Sequence, residues 1–519
     1  MENIKILWVD DEIDLLKPHI LFLENKGYVL STATNGADAI AMVSEEFFDI
    51  VFLDENMPGI TGLETLTRIK TSDPSLPVIM ITKSEEEAIM EEAIGSKISD
   101  YLIKPVNPHQ ILLSIIKNLD KKRLISETTQ SNYQSEFRQI GMRLGDRLDT
   151  EEWKDLFKTL VYWDNELENL TDEGMKEIFD MQKKEANQLF SDFVGDNYID
   201  WVNNNDEDTP VMSHTLFRKK IAPVLKSKGK EPLFLLVIDN LRYDQWKVIK
   251  PKLENYYRIE DEDLYYSILP TATQYARNAL FAGLMPSEIE KRFPTKWKND
   301  DDEGGKNLYE KVFFADLLKR TGFQEKMSYN KITNLNAGRK LSDNFNNLLN
   351  FDLNVIVYNF VDMLSHARTE MEIIKELADD EPAYRSLTET WFDHSPLLEI
   401  IEKIAQAKGK LIITTDHGTI RVQEPSKVIG DRNTNTNLRY KQGRNLNFNK
   451  KEVFLVNNPQ DIFLPRLNVS TSYIFAKENM FFAYPNNYNY YVNYYKNTFQ
   501  HGGISLDEVL IPFVTLNPK

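Results

Sequence analysis

The chain contains short runs of apolar, mostly β-branched residues that each end in a residue able to do chemistry. In the N-terminal quarter these runs alternate with amphipathic helical segments, the pattern of a parallel sheet with helices on both faces. They read KILWV, YVLSTAT, DIVFLD, PVIMIT and DYLIK. A second group reads LFLLVID, NVIVYNFVD and KLIITTDHG. The sequence therefore predicts two α/β units, each with its functional residues at the edge where the strands end.

The two groups of strands are separated by a segment without a comparable apolar run. This segment carries apolar residues at helical spacing instead, as in EEWKDLFKTLVYWDNEL. We therefore predict an α/β multidomain protein with an α/β domain at 1–121, a helical linker bundle at 122–222 and a larger α/β domain at 223–519.

Composition removes several classes of function. The chain has 62 basic and 80 acidic residues, a net charge of −18, which makes duplex DNA and an anionic membrane surface poor partners. It has no cysteine, so thiolate metal sites and cysteine nucleophiles are excluded. No apolar run approaches the ~20 residues that span a bilayer, and the start of the sequence lacks a leader pattern. We expect a cytoplasmic protein with no membrane partner.

Four of the five strands predicted in the first domain end in polar residues. These are Asp10, Asp11, Asp54, Thr82 and Lys104. Because the carboxyl ends of parallel strands share one edge of a sheet, the five side chains should converge there. The three carboxylates, Asp10, Asp11 and Asp54, suit Mg²⁺. Asp54 is then expected to attack a phosphoryl donor, while Thr82 and Lys104 hold the phosphoryl oxygens.

This arrangement resembles the receiver domains of response regulators, which have a flavodoxin-like fold, across the whole first domain. The resemblance implies phosphorylation of Asp54 by a sensor histidine kinase, often followed by formation of a homodimer. It also implies a cis peptide bond between Lys104 and Pro105 and a switch aromatic at Tyr101.

Acidic and histidine residues also follow the strands of the C-terminal domain. They are Asp239, Asp362, His366, the adjacent pair Asp416 and His417, and His501 in HGG near the end. A single histidine beside a strand is more often a structural hydrogen-bonding group than a ligand, but the whole combination favours a metal site. Mixed carboxylate and imidazole ligands suit zinc, with Mn²⁺ as the alternative.

A hydroxyl nucleophile is expected in the segment LPTATQYARNALFAGLMP. Thr271 follows Pro270 at the expected start of a helix, where free backbone N–H groups and the helix dipole favour an alkoxide and a bound phosphate. Thr273, two residues later, is the alternative nucleophile, and simple N-capping is the alternative role for Thr271. We assign the nucleophile to Thr271.

The order of these residues resembles the alkaline-phosphatase superfamily, specifically a PglZ-type domain. The resemblance implies two zinc ions and a phosphodiesterase or phosphatase reaction. One zinc would be held by Asp239, Thr271, Asp416 and His417, and the other by Asp362, His366 and His501. A threonine nucleophile is typical of the superfamily's nucleotide phosphodiesterases, so we expect a nucleotide or oligonucleotide substrate. Arg242 and Arg277 could supply the extra cation that a monoester needs, or could form structural ion pairs.

The order of receiver, helical linker and PglZ-type domain resembles PorX-like response regulators of Bacteroidetes type IX secretion and gliding systems. That resemblance implies regulation of type IX secretion, with the hydrolase switched by phosphorylation of Asp54. A catalytically silent, metal-bound scaffold for a transcription or secretion partner is the main alternative. A DNA-binding transcription factor ranks lowest, because the chain is acidic and has no obvious basic recognition helix.

One further segment, YPNNYNYYVNYYKN, stands out by its tyrosines. Exposed aromatic rings stack on nucleobases, so the segment could contact a nucleotide. Packing within a lid or surface element is the alternative that we favour, and we assign it no site residue.

Overall fold

The computed structural model describes residues 4–82, 99–106, 108–168, 173–204, 209–227, 229, 231–359, 380–431 and 434–519. Two of the predicted zinc ligands, Asp362 and His366, lie outside the described residues. The described chain forms two compact units, residues 1–135 and 136–519.

The sheet of the first unit confirms the prediction of five parallel strands. Its strands are β1 (Lys5–Val9), β2 (Val29–Ala33), β3 (Ile50–Asp54), β4 (Val78–Thr82) and β5 (Asp100–Ile103). They are ordered β2-β1-β3-β4-β5. Alternate residues point to opposite faces, so Leu7 and Val51 belong to one core cluster and Trp8 and Phe52 to the other.

Helices cover both faces of this sheet. They are α1 (Lys17–Glu24), α2 (Gly36–Glu45), α3 (Gly62–Ser72) and α4 (Pro108–Gly145). Asn35 and Thr61 cap α2 and α3 by accepting hydrogen bonds from backbone N–H groups of the first turn. The predicted boundary between residues 121 and 122 falls inside α4.

The linker region is helical, as predicted, and the helices that follow α4 belong to the second unit. After α4 come α5 (Thr150–Glu168) and α6 (Glu173–Asn203). Trp153 of α5 packs against Phe190 of α6 with ring centroids 5.3 Å apart, and Phe190 in turn lies 6.3 Å from Tyr266 of the C-terminal sheet. The amine of Lys154 lies 3.0 Å from Asp263 of the same sheet. The linker helices therefore pack on one another and also bury apolar side chains against the C-terminal domain.

The C-terminal sheet contains the three strands expected from the sequence, side by side. These are β6 (Leu233–Ile238), β9 (Leu353–Tyr358) and β10 (Lys410–Thr414), all parallel. Three further strands complete the order β7-β18-β10-β6-β9-β8, namely β7 (Tyr257–Tyr266), β8 (Met327–Ile332) and β18 (Leu510–Pro518). Strand β18 runs antiparallel to both of its neighbours.

The remaining elements surround this sheet. The helices are α7 (Ala222–Ser227), α8 (Tyr243–Leu253), α9 (Thr273–Ala282), α10 (Pro286–Arg292), α11 (Glu310–Arg320), α12 (Leu335–Asp343), α13 (Glu381–His394), α14 (Pro396–Gln406), α15 (Tyr488–Tyr495) and α16 (Leu506–Val509). The short strands are β11 (Ile420–Arg421), β12 (Glu424–Lys427), β13 (Tyr440–Gly443), β14 (Val453–Val456), β15 (Ser472–Ala476), β16 (Met480–Ala483) and β17 (Phe499–Gln500). Within the described ranges, no helix has the length and apolar character needed to cross a membrane.

Candidate phosphorylation and metal sites

The strand ends of the first unit bring the predicted acidic residues together. Ligand oxygens of Asp10, Asp11 and Asp54 all lie within 4.8 Å of one another. Asp10 and Asp54 are buried at the ends of neighbouring strands, whereas Asp11 is exposed. The amine of Lys104 lies 2.8 Å from both Asp10 and Asp54, and Thr82 is buried at the end of the adjoining strand β4. The Lys104–Pro105 bond is cis, as the resemblance implied.

The charges of this edge explain its titration. Burial raises the pKa of Asp54, and contact with Lys104 opposes that rise without cancelling it. Burial on its own would lower the pKa of Lys104, but its hydrogen bonds and ion pairs with Asp10 and Asp54 outweigh burial and raise it. Lys104 pairs with two of the three carboxylates, Asp10 and Asp54, and a divalent cation fits the oxygen-only donor set.

In the second unit, Asp239, Asp416 and His417 form a fully buried group whose ligand atoms lie within 4.8 Å of one another. Asp239 follows β6, and the other two follow its parallel neighbour β10. Burial raises the pKa of Asp239 to about 6, Arg277 opposes the rise, and the Asp416 carboxylate adds to it. One buried oxygen of Asp416, Oδ2, has no hydrogen-bond partner in the described part of the chain. This donor set fits a zinc ion.

The structure brings Thr273, and not Thr271, to this group. The Thr273 hydroxyl lies 2.9 Å from Nε2 of His417 and 3.4 Å from Oδ1 of Asp239. Thr273 is the first residue of α9, preceded by Ala272 at the N-cap. The Thr271 hydroxyl instead donates to the carbonyl of Gly503, at 2.9 Å, and accepts from the N–H of Gly502, at 3.0 Å. The assignment of the nucleophile to Thr271 therefore does not fit the geometry, because the helix begins two residues later than expected.

His501 lies beside the same group. Its ring stacks on His417, with centroids 4.3 Å apart and planes inclined by 21°. Its Nδ1 lies 3.1 Å from the carbonyl oxygen of Thr271. Thr271 thus helps to position the HGG turn on which His501 sits, a structural role that the sequence did not indicate.

Two buried residues that the sequence analysis did not assign support the HGG turn. Glu508 accepts a hydrogen bond from the N–H of Gly503 at 2.9 Å and pairs with the buried Arg439 at 2.5 Å. The serine of S-L-D-E, Ser505, accepts from the N–H of Glu508, which is a capping pattern readable from sequence.

On the other side of the site, a Cβ atom at Gly418 would lie 1.9 Å from the carbonyl oxygen of Asp507. Only glycine fits directly after His417.

Comparison with known proteins assigns each part of this chain to a family. A family described as "BREX system PglZ alkaline phosphatase-like domain" matches residues 216–516, more than half of the chain. "PorX response regulator linker domain" matches residues 123–202, and "Response regulator receiver domain" matches residues 6–116. The chain belongs to the PglZ family, in the PorX-like order of domains. Its receiver has the flavodoxin-like fold, followed by the helical linker and the alkaline-phosphatase-like domain.

Individual relatives match shorter stretches of this PorX-like chain. The transcriptional regulatory protein ZraR of Klebsiella oxytoca is 34% identical over 140 residues, 27% of this chain and 32% of ZraR. The transcriptional regulatory protein ResD of Bacillus subtilis (strain 168) is 33% identical over 129 residues, 25% of this chain and 51% of ResD. The chain thus spans about a third of one relative and half of the other.

Solved structures of receiver domains are also similar to part of the PorX-like chain. A CheY-like receiver domain protein from Methanospirillum hungatei JF-1 is 28% identical and covers 24% of this chain and 98% of that one, with a TM-score of 0.23. The receiver domain of NtrX from Brucella abortus is 31% identical and covers 22% of this chain and 98% of that one, with a TM-score of 0.21.

Both arginines considered for substrate binding form ion pairs in the PglZ domain. Arg277 lies 2.6 Å from Asp239 and 2.6 Å from Glu310. Arg242 lies 2.7 Å from Asp244 and 3.3 Å from Glu381. The geometry therefore supports structural ion pairs for Arg242 and Arg277 rather than contacts with substrate.

Proposed function

We propose that this chain is a response regulator whose hydrolase domain is a two-zinc phosphodiesterase for nucleotide or oligonucleotide diesters, controlled by phosphorylation of Asp54 and acting in type IX secretion. The observation that carries the enzymatic part is the Thr273 hydroxyl, which opens helix α9 beside the buried Asp239, Asp416 and His417. The receiver domain implies a phosphorylating sensor kinase as partner.

The site supports covalent catalysis by threonine. The Thr273 oxygen would attack the phosphorus of the diester, its proton passing to solvent, and the alcohol would take up a proton and depart from the opposite side. Backbone N–H groups in the first turn of α9 would hold the phosphate oxygens of the resulting phosphothreonine, which water then hydrolyses. Bound zinc would supply the positive charge that lowers the pKa of the hydroxyl.

Charge favours a diester over a monoester. Asp239, Asp362, Asp416 and an ionised threonine together carry four negative charges, which two divalent ions would balance. A diester then adds one negative charge, whereas a monoester adds about two and needs a further cation. Arg242 and Arg277 are already paired with carboxylates. The site is therefore better matched to the smaller charge.

The test is hydrolysis of a chromogenic phosphodiester and the corresponding monoester by the full chain, with zinc and after chelation. Thr273→Val should abolish diester turnover, and Thr273→Ser should retain a measurable part of it, because serine keeps the hydroxyl. Thr271→Val is the matched control and should lower activity less, through the HGG turn. Zinc content and thermal unfolding of each variant show whether the site and the fold are intact.

Two results would contradict the proposal. Loss of turnover in Thr271→Val but not in Thr273→Val, with zinc content unchanged, would return the nucleophile to Thr271. Absence of turnover of either ester by the zinc-loaded protein would favour the metal-bound scaffold instead.

A further inference from the structure

Helix α15, Tyr488–Tyr495, presents a surface of tyrosines to solvent. None of its residues is buried. The exposed fraction is 65% for Tyr490, 40% for Tyr491 and 37% for Tyr494. Large aromatic rings are usually placed where they bury area, so three exposed rings on two turns of one helix require a reason beyond packing.

The rings are ordered relative to one another. Tyr490 and Tyr494 stack with centroids 6.2 Å apart and planes 15° apart, and Tyr491 and Tyr495 stack at 6.3 Å and 13°. These pairs are four residues apart, as expected for neighbours on one helix face. We call Tyr490, Tyr491 and Tyr494 the tyrosine ladder.

The segment that carries the ladder lacks acidic residues. Residues 479–506 contain Lys496 and His501 but neither aspartate nor glutamate, although the chain has 80 acidic residues. Lys496 directly follows the helix and is exposed. A phosphate backbone would therefore meet no carboxylate from this segment, in contrast to the acidic balance of the chain as a whole.

The helix that carries the ladder packs against residues that closely follow His417 in the sequence. Val492 and Tyr495 pack against a cluster formed by Ile420, Val422 and Phe481. The segment then enters β17, which pairs with β11 directly after the Asp416–His417 turn and leads into His501. Tyr494, the last residue of the ladder, is seven positions before His501, so their Cα atoms are at most about 24 Å apart. That upper bound corresponds to roughly seven nucleotides of a stacked strand at ~3.4 Å each.

We propose that the tyrosine ladder is a base-stacking surface for the distal nucleotides of a single-stranded oligonucleotide whose phosphodiester lies at Thr273. This inference rests on the proposed function and names the residues that would hold the distal bases of an oligonucleotide substrate. Every base has a π face, so the ladder binds by stacking with little sequence preference. Stacking of the bases adds binding affinity and does not alter the chemical step at Thr273.

Two measurements on the full chain test the ladder. The first is anisotropy of a fluorescein-labelled twelve-nucleotide single strand with chelated protein, in which binding is observed without turnover. The second is kcat and KM, with zinc, for a chromogenic diester and for oligonucleotides of two and six nucleotides. The variants are Tyr490→Ala/Tyr494→Ala, the ring-retaining Tyr490→Phe/Tyr494→Phe, and Tyr162→Ala, an exposed tyrosine of α5, as the matched control.

The double alanine variant should weaken binding and raise KM for the six-nucleotide substrate by roughly tenfold, with kcat for the chromogenic diester unchanged. The phenylalanine pair and Tyr162→Ala should behave as wild type. Equal binding by all variants, or no binding by wild type, would overturn the ladder. A fall in sedimentation mass of the alanine pair without loss of oligonucleotide binding would also overturn it and identify the surface as a contact between two copies. Because binding is measured without turnover, failure of the hydrolase proposal leaves this result readable.

Discussion

Lys441 shows how a single buried charge can weaken the fold. It lies on β13 with 1% of its surface exposed, donates to the carbonyl of Asn435 at 3.0 Å, and places its amine 4.6 Å from the ring centre of Tyr484. No carboxylate pairs with it in the described part of the chain. Burial lowers its pKa to about 7 from an ordinary value of 10.5. The folded state therefore holds a proton less tightly than the unfolded chain.

Replacing this lysine should stabilise the protein in a pH-dependent way. Between pH 7 and 10.5 the unfolded chain binds the proton and the folded chain releases it, so wild-type stability rises with pH across this range. Lys441→Met should raise the free energy of unfolding at pH 6.5, by up to about 4 kcal/mol, and the gain should shrink as pH rises. Denaturant unfolding of both proteins at pH 6.5, 8 and 9.5 measures this. A gain that stays constant with pH would contradict the charge explanation.

The candidate metal site of the PglZ domain shows which of its residues could be predicted from the sequence and which could not. The residue types at the strand ends, Asp239, Asp416 and His417, were predictable because chemistry and β-strand pattern agree. The choice between Thr271 and Thr273 was not, because the helix start depends on a poor N-cap residue, Ala272, which carries no sequence signal. The sequence left open whether Arg277 contacts substrate or forms an ion pair, because its pairing with Asp239 depends on tertiary packing.

Among the elements, helix α13 is held by acidic residues from two other helices. Arg385 of α13 lies 2.7 Å from Asp164 and 2.8 Å from Glu168 of α5, and 3.2 Å from Asp244 of α8. It is almost completely buried. The linker helix α5 thereby contacts the helix that directly follows the segment containing Asp362 and His366. Helical spacing predicted α5, but it could not reveal which face of which domain this helix packs against.

Removing this arginine should destabilise the second unit. Arg385→Met leaves three carboxylates without their shared cation, which should lower the free energy of unfolding by about 3 kcal/mol or more. Arg68→Met, at an exposed pair with Glu64, is the control and should change it by less than about 1 kcal/mol. Thermal and denaturant unfolding compare the two. Similar losses in both variants would show that Arg385 contributes no more than a surface charge.

Strand β7 illustrates why part of the C-terminal sheet was not predicted from the sequence. Strand β7 reads YRIEDEDLYY, an acidic sequence without the apolar run of a central strand. Its Glu262 and Asp263 are satisfied by lysines distant in sequence, with Lys154 and Lys220 on Asp263 and Lys250 on Glu262. These pairings exist only in the folded chain, so the local sequence carries no apolar pattern from which the strand could be predicted.

At the scale of the whole molecule, the chain joins a receiver domain to an alkaline-phosphatase-like domain, and its net charge of −18 opposes association of two copies. Dimerisation therefore needs a specific surface. We expect phosphorylation of Asp54 to create such a surface, as the resemblance of the first domain to receiver domains implies. The order of the three parts was readable from sequence, since each part carries its own pattern, whereas communication between them was not.

Sedimentation of the full chain with magnesium and beryllofluoride, a phosphoryl mimic, tests this expectation. Wild type should shift from monomer towards dimer, at lower protein concentration than without the mimic. Asp54→Asn should not respond, because it cannot hold the mimic in place of the phosphoryl group. A wild-type protein that stays monomeric under both conditions would exclude dimerisation as the switch.

The position of strand β18 also orders events during synthesis. This strand inserts between β7 and β10, and the nearby turn carrying His501 comes from the same last stretch of chain. Domains fold from the N-terminus as the ribosome releases them. The receiver can therefore fold on the nascent chain while the C-terminal sheet still lacks β18, the strand that separates β7 from β10. The C-terminal sheet is therefore completed after the receiver has already been made.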